Sequence, residues 1–146
     1  MYKTILIIHL LAATIWTGGH LYLALGILPK ILITKNIEKL LDFERSYEKI
    51  GMPALLVQVI TGVYMSLNLL DFNQWFDFDN HISKHISIKI ILLAITVILA
   101  LIANFKIIPQ LHKKNYLTIM AFFIYTVTII SVLFVITGAS FRLYIY

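Results

Sequence analysis

The sequence predicts an all-α, polytopic membrane protein, a bundle of four transmembrane helices in a single domain spanning residues 1–146. Three observations predict it. The 146 residues are 60% hydrophobic and 13% charged, with a mean hydropathy of +0.90, and a soluble domain carries far more polar surface than this. Four apolar runs stand out, each close to the roughly 20 residues that cross a bilayer. The charges sit mainly in the connectors between those runs, as they do in multi-pass proteins. Backbone groups cannot stay unpaired in hydrocarbon, so each run must be a helix. None alternates apolar and polar residues as a barrel strand would.

The first span is expected from about Thr4 to Leu28. Its lead, Met1-Tyr2-Lys3, has the outline of a signal peptide, but the apolar run is too long and lacks a small-x-small cleavage site. It reads as a retained span. In the connector that follows, Ile37, Leu40, Leu41, Phe43, Tyr47 and Ile50 recur at helical spacing among charges. That pattern fits an amphipathic helix at the membrane interface or a solvated link. Gly51 and Pro53 are expected to break or bend the chain there. The second span follows, from about Pro53 to Leu70. The next connector carries Phe72, Trp75, Phe76 and Phe78 around three aspartates, and such aromatics are expected at headgroup level. The third span runs from about Ile86 to Ile108 and the fourth from about Tyr116 to Ala139.

Lysine and arginine set orientation. Lys30, Lys35, Lys39, Arg45 and Lys49 lie in the first connector, and Lys106, Lys113 and Lys114 in the third. These two connectors are expected on the cytoplasmic side, with both termini outward. The net charge of +5 and pI near 9.5 therefore report topology and anionic headgroups, not nucleic acid. The chain has no cysteine. This excludes disulfides, thiolate zinc sites, iron–sulfur clusters and thioether-linked haem.

Polar residues inside a membrane are expensive, so their placement is informative. On the first helix His9, Trp16 and His20 fall within about 40° of one another, with Gly19 beside them. Gln58, Thr61, Gly62, Met65 and Asn68 share a face of the second. His85 and Lys89 are one turn apart on the third, continued by Thr96 and Ala100. Tyr125, Thr128, Ser131 and Thr137 mark the fourth. Helices that each keep one polar stripe form a bundle around something. By depth, His9, Met65, His85 and Lys89 are expected to converge near the outer leaflet. His20 lies about 16 Å deeper than His9.

Imidazole is a common ligand for haem iron and tolerates a low dielectric. His9, His20 and His85 are the candidate metal ligands. One b-type haem near His9 would have His85 or Lys89 opposite, and His20 could hold a second. Gly18, Gly19 and Gly62 would let a flat macrocycle approach, Trp16 could pack against it, and Lys89 or Arg142 could pair with its propionates. The rival cofactor is copper, for which His9, Met65, His81 and His85 offer donors suited to Cu(I). The alternative without a cofactor is a packing role, in which buried histidines only bond neighbouring helices. His81 and His112 read as surface residues.

The pattern His9-x6-Trp16-x2-Gly19-x2-Tyr22 resembles the first helix of the superfamily that joins copper resistance protein D domains and HemJ-type protoporphyrinogen oxidases. Arg45-x-Tyr47, Met52-Pro53-Ala54 and Thr61-Gly62 resemble their second helix and its lead-in, and Lys89 matches the lysine that opens their third. The resemblance implies a four-helix protein of the bacterial inner membrane. From HemJ-type proteins it implies haem b, with His9 and a catalytic Lys89 as essential residues. From the copper family it implies copper uptake or tolerance. The chain departs from HemJ-type proteins in the extra His20, in LALGILPKIL after Tyr22 and in ALIANFKIIP at the end of helix three. The favoured expectation is a haem-binding relative in electron transfer, served by a redox partner or quinone. The alternatives are copper handling, porphyrinogen oxidation, or a non-catalytic subunit of a larger membrane complex or homodimer.

Overall fold

A computed structural model describes residues 1–145, with side chains as far as residue 141. Four long helices account for most of the chain. We label them α1 (Tyr2–Thr34), α2 (Ile37–Leu67), α3 (His81–Gln110) and α4 (Tyr116–Ile145). All four are long and apolar enough to cross a bilayer. α1 has 33 residues, which is about 50 Å of helix against a hydrocarbon core of about 30 Å. The ends therefore tilt or project beyond the core. Large apolar side chains such as Leu25, Phe105 and Phe122 stay exposed on the outer surface, as a bilayer solvent requires.

The helices run further than the apolar runs. α2 begins at Ile37, not near Pro53, and passes through Gly51 and Pro53 without a break. Proline removes one backbone bond, but the turns around it are fixed by packing: Gly51 and Ala54 are both buried. Asn36 caps the start, its Oδ1 accepting from the Lys39 N–H at 3.1 Å. The stripe of Ile37, Leu40, Leu41 and Phe43 faces the protein interior. It packs into the main buried cluster with Leu23, Leu28, Ile31, Ile107 and Met120.

α1 and α3 each cross a proline by the same device. α1 widens to a π-helix over Tyr22–Ile27, closed by the Leu28 N–H on the Leu23 carbonyl, and Pro29 follows. α3 widens over Ala103–Ile107, closed by the Ile108 N–H on the Ala103 carbonyl, and Pro109 follows. A proline has no N–H to continue the four-residue ladder. The five-residue step places it where the ladder has already shifted. Both π segments feed the buried cluster, which fills the lysine-rich end of the bundle.

α1 packs against α2 and α4, and α3 packs against α4. α2 and α3 make at most marginal backbone contact. Of the sides between neighbouring helices, the α2–α3 side is therefore the least closely packed. Its far end is closed by the connector between those helices. Trp75 is buried, its indole donating to the Leu70 carbonyl at 3.2 Å. Of the connector's aromatics Phe72, Phe76 and Phe78 are exposed, whereas Trp75 packs inward. Ser83 and Ser87, fully buried one turn apart, donate to the Gln74 and Trp75 carbonyls at 2.6 Å each. Ser87→Ala strands a buried carbonyl, which costs about 1–3 kcal/mol. A lowered unfolding midpoint with red-shifted tryptophan emission is the expected readout.

Candidate functional site

His9 projects from α1 onto α2. Its Nδ1 lies 2.7 Å from Thr61 Oγ1. The Thr61 hydroxyl has its own proton committed to the Val57 carbonyl at 2.6 Å. Its oxygen must therefore accept, and His9 Nδ1 must donate. In this arrangement Nδ1 carries the proton and Nε2 the lone pair. Among the described residues, no hydrogen bond reaches Nε2. A Cβ on Gly62 would lie 3.5 Å from His9 Cε1, so Gly62 leaves the ring van der Waals room and no more.

Lys89 reaches from α3 toward α4, where a Cβ on Gly138 would stand 3.7 Å from its Nζ. Among the described residues no carboxylate pairs with it. α1, α2, α3 and α4 thus bring His9, Thr61, Lys89 and Gly138 to one level, beside the loosely packed α2–α3 side. Metal-binding histidines are held in this way, one ring nitrogen donating to a neighbouring oxygen that orients the ring and the other keeping its lone pair for the metal.

The structure distributes the other candidates. His85 sits one turn before Lys89, its Nδ1 bonded to the His81 carbonyl at 3.0 Å. Its ring packs 4.6 Å from His81 and 5.6 Å from Phe141. Met65 is half-buried one turn beyond Thr61. The Arg142 side chain lies outside the described residues. Among the described residues, no three His, Cys, Asp or Glu side chains are grouped to hold a metal ion.

His20 belongs to a separate aromatic cluster. Its Nδ1 is 2.9 Å from the Trp16 carbonyl and its ring is 4.4 Å from Trp16. Tyr47 of α2 completes the cluster, its hydroxyl donating to the same carbonyl at 2.8 Å and standing 3.4 Å from His20 Nδ1. The Tyr47 ring lies between Gly19 of α1 and Gly51 of its own helix, and stacks on Phe43 at 5.6 Å. Two further hydroxyls stand between α4 and α1 here: Thr128 Oγ1, which donates to the Ile124 carbonyl at 2.7 Å, lies 3.3 Å from the His20 carbonyl, and Thr17 donates to the Ser131 carbonyl at 3.4 Å. The sequence placed Tyr47 on the apolar stripe of the first connector and in the family pattern, but not beside His20. Its signal was present in the helical spacing of Gly51 and in Gly19 opposite, two residues without side chains where one ring needs space.

His112 falls where expected, at the lysine-rich end, 3.7 Å from Glu38. Comparison with curated proteins and with solved structures gave no match. The family model described as Copper resistance protein D matches residues 41–141, most of α2 and all of α3 with nearly all of α4 as far as its side chains are described. That is well over half of the chain, and its four spanning helices agree with a membrane family. The chain belongs to the copper resistance protein D family, as a multi-pass membrane protein.

Proposed function

We propose that this protein binds b-type haem through His9 Nε2 and transfers electrons within the membrane. The observation that carries the reading is the tautomer of His9, with Nδ1–H on Thr61 and the Nε2 lone pair uncommitted. Haem brings four nitrogens of its own, so one well-held imidazole can anchor it. A bare copper ion needs several protein donors gathered together, and among the described residues no three His, Cys, Asp or Glu side chains are so grouped. Lys89 is the second polar group at that level, as the opposite ligand or as a partner for a propionate. The sparse backbone contact between α2 and α3 supports a flat ligand on that side. Bound haem would supply a one-electron couple; the chain supplies the ligand, its orientation and a low-dielectric surrounding. The positive-inside bias supports a cytoplasmic position for the lysine-rich end.

Copper handling is the second reading, favoured by the family match. His9 with Met65, one turn beyond Thr61, would suit Cu(I). Metal and porphyrin analysis of protein purified from its native membrane separates the two. The haem reading expects near-stoichiometric iron with extractable protoporphyrin. Copper without porphyrin would replace it with the second reading.

A further inference from the structure

At the lysine-rich end, α1 turns into α2 and α3 turns into α4. Lys35 and Asn115 make these turns in the left-handed region, with φ of 56° and 72°. The two connectors lie side by side and enclose a cleft of about 290 Å³. Lys35, His112, Lys113 and Lys114 line it together with Ile37 and Leu117. Leu117 belongs to the buried cluster, so the cleft has an apolar floor under a cationic rim. Its charges are only lightly offset. His112 faces Glu38 at 3.7 Å, and Lys113 Nζ donates to Gln110 Oε1 at 3.3 Å. Among the described residues no carboxylate pairs with Lys35, Lys113 or Lys114.

We propose that this cleft is a binding site for the phosphate headgroup of an anionic phospholipid. Three lysines from two connectors line one concavity, whereas topology alone needs lysines only somewhere in the connectors. The apolar floor fits an amphiphile better than free phosphate, which gains nothing from it. The cleft sits where the spanning helices end, so lipid headgroups lie at its level. This site is independent of His9 and of any haem.

The test uses the full chain in mild detergent, with phosphatidylglycerol adducts measured by native mass spectrometry. K35Q/K113Q/K114Q removes the exposed rim without touching the core. K30Q/K39Q/K106Q removes equal charge from exposed positions of the same end outside the cleft. The cleft variant is expected to bind phosphatidylglycerol about tenfold or more weakly, from the attraction of each lysine to an anionic headgroup. The control is expected to bind as the parent does, and phosphatidylcholine is expected to bind neither strongly nor selectively. Equal losses in both variants would mean diffuse surface attraction and would overturn the proposal. So would competition by inorganic phosphate as effective as by the lipid, since that would make the site one for a free anion.

Discussion

His9→Ala is expected to yield a folded protein without haem. The substitution deletes the imidazole whose Nε2 lone pair is uncommitted, and with it one bond between α1 and α2. Such a bond within a membrane is worth about 0.6 kcal/mol on average, too little to unfold the bundle. Loss of the absorption bands at an unchanged unfolding midpoint would therefore report ligation, not collapse. Thr61→Val separates the two roles of the ring. It removes the acceptor for Nδ1–H and leaves the ligand itself. Losing such an outer partner lowers metal affinity by about 10–100-fold, so this variant should retain haem at purification and release it readily to an apo-globin acceptor. His20→Ala is the companion. Its ring packs on Trp16 and near Tyr47, so stability should fall while the bands persist. Bands that survive His9→Ala would remove His9 from the site.

Gly18→Ala and Gly19→Ala, at adjacent positions, are expected to have opposite effects. A Cβ on Gly18 meets nothing within 4 Å. Alanine there gains helix propensity of about 1 kcal/mol. A Cβ on Gly19 falls on the Tyr47 ring, 2.7 Å from its hydroxyl oxygen and closer to its carbons. On its other side the ring already fills the space beside Gly51, where a Cβ would stand 2.8 Å away. Tyr47 must leave the slot and give up its bond to the Trp16 carbonyl. Overpacking costs about 1–3 kcal/mol and the lost bond about 1 kcal/mol, against a propensity gain of about 1 kcal/mol. Gly19→Ala should therefore destabilise by about 1–3 kcal/mol in equilibrium unfolding. Equal stabilisation of both variants would show that the ring does not occupy the slot.

The parts of this fold that the sequence showed are those where chemistry contrasts with surroundings. His9, Thr61 and Lys89 are conspicuous because each interrupts an oily run, and periodicity alone put them on inward faces. The helix ends were hidden for the opposite reason. Ile37, Leu40 and Phe43 alternate with charges whether a helix lies on a membrane or packs into a core, and only the neighbours decide. Trp75 in a polar connector looks like an interfacial aromatic until Ser83 and Ser87 fold the connector back over it. The π segments before Pro29 and Pro109 depend on which neighbour fills the widened turn. The partnership of Lys89 with Gly138 depends on the relative heights of α3 and α4, which no pattern within one helix encodes.

The central claim is that a metal centre is ligated by His9 Nε2. It is tested most directly by a side-chain-resolution density map of the protein isolated from its native membrane. Ligation requires planar density beside α2 and α3 with its metal about 2 Å from Nε2, Nδ1 remaining on Thr61. A map in which Nε2 faces lipid, or contacts only protein side chains with no density beside it, would contradict ligation and leave His9 as a packing residue.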